Sequence, residues 1–222
     1  MTLSSQIVAQ IREALFAGEL QTGDVLGSEA DLVKQFGVSR MSVRDALRSL
    51  EAMGIVDIKT GAKGGATIAA GSSERFADSL AIQLKLIGVT RDDVLQARAA
   101  TESMTAALAA THATAADIEM LDGLLTEAER SIDDPERSAA LGEEFHLAVA
   151  AVARNQVLVA QLRAMRDVMR QPVKLPDPQR ARRVVEVHRG LFELIAAGNV
   201  DEARARMQEH VNHWISLSAP KR

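Results

Sequence analysis

The chain has no cysteine among its 222 residues, which excludes disulfides, thiolate nucleophiles and cysteine-held zinc from its fold and chemistry. A metal, if used, has to sit on histidine and carboxylate. Tyrosine is also absent, tryptophan occurs once and aromatics make up 3%. With alanine and leucine dominant, that shortage favours helix over a sandwich or barrel. No stretch approaches the roughly 18 apolar residues of a membrane span. The opening Met1-Thr2-Leu3-Ser4-Ser5-Gln6 lacks the basic and apolar regions of a secretory leader. A cytoplasmic protein without a membrane partner is expected. Positive charge is in deficit as well, the net being −4, so any nucleic-acid surface must be a local basic patch. What is present, 47% hydrophobic and 25% charged residues, suits one or two compact domains.

Ile7, Val8, Ile11 and Leu15 recur at helical spacing and stop at Gly18. After a turn-rich stretch, Ser28 is placed to cap a second helix with Asp31 reciprocating. That helix ends at Gly37, and Ser39 is a ready cap for a third, Arg40 to Met53, stopped by Gly54. Helix, short glycine turn and helix form the helix-turn-helix pattern. Two β-prone runs, 55–59 and 66–69, flank the glycine-rich bend Gly61-Ala62-Lys63-Gly64-Gly65 and predict a hairpin wing. The small polar run Ala70-Gly71-Ser72-Ser73 predicts a boundary between a domain 1–72 and an all-helical domain 73–222. In the latter, caps at Ser73, Thr90 and Thr114 open the first helices. The expected fold is mainly α: a winged helix-turn-helix of three helices and a β-hairpin, followed by a helical bundle.

On the third helix Arg40, Arg44 and Arg48 recur every four residues, opposite Val43, Leu47 and Leu50. Such a helix fits the major groove, where arginine pairs with guanine O6 and N7. Arg40, Arg44 and Ser42 are therefore expected to read bases. Ser39 and wing residues Lys59 or Lys63 would meet the backbone or minor groove. The alternative is a solvated face paired with Asp45 and Glu51.

The runs Leu26-Gly27-Ser28-Glu29-Ala30-Asp31-Leu32, Phe36-Gly37-Val38-Ser39-Arg40 and Val43-Arg44-Asp45-Ala46-Leu47-Arg48-Ser49-Leu50-Glu51 resemble the winged helix-turn-helix of the GntR family of bacterial transcription regulators. The resemblance places Arg40 and Arg44 at DNA-contacting positions and Gly64-Gly65 at the wing tip. Ser28, Glu29, Ser39, Ser42, Arg48 and Lys63 complete the candidate DNA-contacting set. Ala30 departs from members that carry an arginine there.

Beyond residue 72, His146, His188 and His210 fall on apolar faces of three different helices. Singly each reads as a core histidine; together they form a site for Zn, Ni or Mn. Arg98 shares a face with Leu95, Thr101, Thr105 and Leu108, and a buried arginine needs an anion: Glu102 one turn on, or a ligand carboxylate. Arg98 with Glu102, Phe145-His146 with Asn155, His188 and His210 extend the resemblance to the sensing domain of the FadR-type branch, which implies one divalent metal and a small organic acid. Arg98, Glu102 and Asn155 are then ligand-binding candidates. Metal-holding members place an aspartate one turn before the first histidine, where this chain has Gly142. Three arrangements follow: Glu143 swings in, water fills the position, or no metal binds.

The expected function is a homodimeric, DNA-binding regulator, a repressor by resemblance, whose affinity for a short palindromic operator a carboxylate effector controls by shifting the spacing or order of its winged domains. The alternatives are a metal-dependent enzyme using Glu143 or Glu144 as base, and an architectural DNA-binding dimer without effector.

Overall fold

The computed structural model describes residues 2–59, 61, 64–169 and 178–218, with side chains to His213. The chain divides into two compact units, Met1–Ser72 and Ser73–Arg222. Among the described residues no helix is long and apolar enough to cross a membrane.

In the first unit α1 (Leu3–Phe16), β1 (Val25–Gly27), α2 (Glu29–Phe36), α3 (Arg40–Ala52), β2 (Val56–Lys59) and β3 (Gly65–Ile68) follow in order. The expected caps form. Ser28 accepts the Asp31 amide while the Asp31 carboxylate takes the Ser28 amide, and Gly37 closes α2 in the left-handed conformation (φ 64°) that glycine adopts without a Cβ penalty. Ser39 caps α3 by accepting from the Ser42 amide. The core gathers Ile7 and Ile11 of α1, Leu32 of α2, Val43, Ala46, Leu47 and Leu50 of α3, and Val56, Ala66 and Ile68 of the sheet. Burial of this one face turns the other side of α3 outward.

The sheet has three strands, not the two of a plain hairpin. Its order is β1-β3-β2, with β3 antiparallel to both neighbours. β1 is three residues long and bracketed by turn formers, so it carries no period of its own. It exists through pairing with β3. That pairing also explains Gly65: a Cβ there would stand 2.9 Å from the Gly27 carbonyl oxygen. Its glycine is required by close backbone approach inside the sheet. Gly65→Ala is expected to destabilise this unit by about 1–3 kcal/mol through backbone displacement, read as a lower urea midpoint; an unchanged midpoint would show that the strands yield freely.

In the second unit seven helices are described: α4 (Ser73–Leu86), α5 (Arg91–His112), α6 (Ala115–Arg130), α7 (Pro135–Val152), α8 (Gln156–Val168), α9 (Pro178–Ala196) and α10 (Val200–Ser218). Reciprocal boxes Thr90/Asp93 and Thr114/Asp117 open α5 and α6, and Asp134 with Pro135 opens α7. Ser73, expected as a cap, is the first helical residue of α4. Pro178 opens α9. α5 runs through the middle, and its alanines 99, 106 and 109 let α10 approach closely. Phe145, Val149, Leu191, Ile195, Met207 and Val211 close the core around it.

Candidate functional site

Two groups of side chains stand out, one in each unit. In the first, α3 exposes Arg40, Arg44 and Arg48 on the side away from the core. Arg44 is half-exposed and donates through Nε to Glu29 Oε1 at 3.2 Å. Its anion therefore comes from α2, not from Asp45 or Glu51. The Ser39 and Ser42 hydroxyls bond each other at 2.9 Å at the start of α3. The Ser28 hydroxyl is held by Asp31. Gly64 and Gly65 are half-buried at the start of β3, and Lys63 lies outside the described residues. An arginine row beside an exposed helix N-terminus can meet a polyanion's bases and phosphates together.

In the second unit the three histidines converge. His146 comes from α7, His188 from α9 and His210 from α10, each 8% exposed or less. His188 Nε2 lies 3.1 Å from His210 Nε2, which lies 3.3 Å from His146 Nε2. The rings interlock: His146 stacks on His210 (centroids 5.2 Å) and His188 on Phe145 (4.6 Å), the remaining histidine pairs meeting edge to face. Burial, then the neighbouring imidazoles, push the pKa of His188 well below its ordinary value. Burial and His146 likewise push His210 down to about 3, against the opposing pull of Glu102. Both are neutral at pH 7, with lone pairs available.

Neutral nitrogens meeting head to head suit a cation. Ligand nitrogens about 2.1 Å from a Zn-like ion, at tetrahedral or octahedral angles, lie about 3.0–3.4 Å apart. The two separations that His210 makes fall in that range and all three ligand atoms lie within 4.8 Å of one another, so the three residues fit a divalent ion after small side-chain adjustment. Among the described residues they form the one group whose ligand atoms approach closely enough.

Glu102 and Arg98 form a shelf beneath this cluster. Arg98 Nε donates to Glu102 Oε1 at 2.6 Å, and Glu102 Oε2 stands 2.5 Å from His146 Nδ1. The latter is a charge contact in which the ring N–H is not aimed at the oxygen, so both atoms are without a hydrogen-bond partner. Burial opposes ionisation of Glu102, but His146 and Arg98 hold its carboxyl down to about 2. Glu102 Oε2 stands on the Nδ1 side of the His146 ring, which leaves the Nε2 side facing the other histidines, the placement of an outer carboxylate behind a metal-facing imidazole. Burial also opposes the charge on Arg98, and Glu102 with Glu143 raises its pKa. The sequence left Arg98 between Glu102 and a ligand; the structure gives it Glu102 at close range and Glu143 at 3.4 Å through Nη2.

Three sequence expectations change in detail. Glu143, weighed as a metal ligand, faces Arg98 with its side chain nearly half exposed. Asn155, weighed as ligand-binding, is exposed and caps α8, its carboxamide oxygen accepting from the Val157 and Leu158 amides. A residue whose acceptor is committed to a helix start has a local role that explains it. Gly142 does face the cluster: a Cβ there would meet His188 Cε1 at 3.8 Å and no other heavy atom within 4 Å. The space a side chain would fill beside the histidines is open. Glu102, read from sequence as a partner for Arg98 and a ligand-binding candidate, also stands against His146.

The buried histidines carry a pH signature. Unfolded histidine takes up a proton near 6.5, whereas folded His210 does so only near 3. Below about pH 6.5 the unfolded state of metal-free protein binds more protons, and stability falls with pH. The slope from this residue approaches about 1.4 kcal/mol per pH unit. Urea unfolding of chelated protein between pH 7 and 5 should show this slope, reduced in His210→Asn; equal slopes would refute it.

A helix-turn-helix with a three-stranded wing, joined in one chain to a helical unit with a buried polar centre, defines a DNA-binding transcription regulator. Residues 3–64 match the model for bacterial regulatory proteins of the gntR family, and residues 93–213 match the FCD domain. The chain belongs to the GntR family, in the FadR-type branch that carries an FCD domain. It is 32% identical over 209 residues to the HTH-type transcriptional regulator LutR of Bacillus subtilis, covering 88% of this chain and 92% of that one. It is 28% identical over 234 residues to the HTH-type transcriptional repressor NanR of Edwardsiella tarda, covering 98% and 87%. The fold is similar to that of Streptococcus agalactiae GntR, with a TM-score of 0.59 at 21% identity over 95% of this chain and 98% of that one. These relatives are regulators, which sets aside the metal-dependent enzyme.

Proposed function

We propose that this chain is a ligand-responsive repressor. A homodimer holds a short palindromic operator with α3 of each winged domain, and a small organic acid bound in the helical domain lowers operator affinity. The protein then works in the cytoplasm, where the DNA is. The repressor sense is supported by the named relative NanR. Two-fold pairing is supported by the limited specificity of one small module.

The observation that carries the sensing role is the convergence of three buried imidazole Nε2 atoms beside a buried Arg98–Glu102 pair. A core optimised for stability alone would fill that volume with apolar groups, since buried ion pairs are rarely worth their desolvation. His146, His188 and His210 would hold one divalent ion, Zn, Ni or Mn, whose role is to coordinate carboxylate oxygens. Glu102 orients His146. Arg98 anchors the acid, which displaces Glu143 from its long contact with Nη2. The open space at Gly142 leaves room for the acid or water at the histidines. For the effector to act, it must bind the operator-free arrangement more tightly, by about 1–3 kcal/mol.

The test is thermal stability of the purified protein against a panel of small carboxylates, before and after chelation and metal replacement. A native-state ligand raises the melting temperature by mass action. The expected result is a stabilising acid whose effect vanishes on chelation and returns with metal. No stabilising acid under any metal condition would reject the sensing role.

A further inference from the structure

The outward side of α3 is not purely basic. Val43, Ala46, Leu47 and Leu50 fix its inner side, and by the 100° step of an α-helix the residue diametrically opposite their centre is Met41. Met41 is 66% exposed. It sits in the first turn of α3, between Arg40 and Ser42, with Arg44, Asp45 and Arg48 around it on the same side. The apolar core of the first unit does not include it. One exposed apolar side chain needs no explanation on an ordinary surface. This one occupies the middle of the face that, on the reading above, enters the major groove.

We propose that Met41 is a specificity-determining residue that packs on the C5-methyl group of a thymine in each operator half-site. The inference rests on α3 being the recognition helix. Of the groups that base pairs display in the major groove, the thymine methyl is the apolar one; guanine, adenine and cytosine present hydrogen-bonding edges there. The arginines supply donors for guanine and phosphate but have nothing to distinguish thymine from cytosine. An unbranched thioether reaches the methyl from a range of rotamers and packs on it without a hydrogen-bond partner. Placed in the first turn, it lies where a docked helix comes nearest to base edges. Met41 thus reads a methyl group while its arginine neighbours read charge and acceptors.

The test uses the full-length protein and a duplex selected by it from a random pool. Each thymine is replaced in turn by deoxyuridine, which removes only the methyl. One position per half-site is expected to weaken wild-type binding about fourfold, the equivalent of one buried methyl group. Met41→Ala, present in both subunits, should lose the factor that uracil in both half-sites costs the wild type, and show no further loss with uracil. Met41→Leu should keep the sensitivity. The position is exposed, so unchanged melting temperatures for both variants are expected and would exclude misfolding. Additive losses from Met41→Ala and uracil, or no methyl-sensitive thymine, would overturn the inference. Arg44→Ala separates the two levels. If it keeps wild-type selectivity, the recognition-helix reading falls and this inference with it; if selectivity is lost but Met41 and uracil act independently, only this inference falls.

Discussion

Arg44→Ala is expected to lose sequence-specific DNA binding by on the order of 100-fold or more, with weak salt-sensitive binding retained. A bidentate arginine–guanine pair carries about 1–3 kcal/mol of discrimination, and a two-fold dimer loses it twice. The structure makes the side chain available for that contact. Arg44 stands half-exposed on the outer side of α3, and its contact with Glu29 is a surface pair that costs little to exchange for a base. Because Arg44 contributes nothing to the core, the melting temperature should not move. Titration at fixed salt on a selected duplex and on an unrelated one measures the effect. Retained affinity and selectivity would remove α3 from the role of recognition helix.

The second large effect concerns Arg98. Its substitution by alanine is expected to abolish the response of DNA affinity to carboxylates while leaving operator binding in effector-free protein intact. The guanidinium is buried, fixed by Glu102 at 2.6 Å, and has a loosely held terminal nitrogen facing Glu143. Removing it strands the buried carboxylate of Glu102, which costs about 3–5 kcal/mol when one partner of a buried pair is lost. A loss of response in Arg98→Ala alone can therefore reflect damage to the bundle. The double variant Arg98→Met with Glu102→Gln removes both charges and should restore most of the stability without restoring the response. A full response in either folded variant would reject Arg98 as the anchor.

The winged unit was legible wherever local chemistry decides the backbone. Ser28 with Asp31, Gly37, and Ser39 declare helix ends through hydrogen bonds made within four residues, and such signals need no partner elsewhere in the chain. β1 was not legible, since Val25–Gly27 becomes a strand only by pairing with β3, far along the sequence. Gly65 was read as a wing-tip residue because a glycine run looks like a turn; its contact with the Gly27 carbonyl is a long-range fact. In the helical unit the apolar faces bearing His146, His188 and His210 marked them as inward-facing. The convergence of their Nε2 atoms depends on helix packing that periodicity does not encode. Glu102 shows the same limit. The i,i+4 spacing pointed to Arg98, but its second oxygen meets His146 from another helix. Asn155 was read for ligand contact alone, and the cap it makes on α8 through the Val157 and Leu158 amides went unread.

The polar cluster also ties the order of synthesis to competence. Arg98 and Glu102 lie on α5, His146 on α7, His188 on α9 and His210 on α10. A nascent chain that has reached α8 holds one histidine of the cluster, His146, and the Glu102 carboxylate, and α5 still lacks the helix against which it packs most extensively. Domains emerge from the ribosome in sequence and generally fold as units, so the winged unit can close while this cluster is still incomplete. For that interval the chain carries a closed helix-turn-helix unit beside a helical unit whose histidines have not yet met. Docking of α10 ends the interval, bringing His210 onto the other two histidines as it completes the bundle.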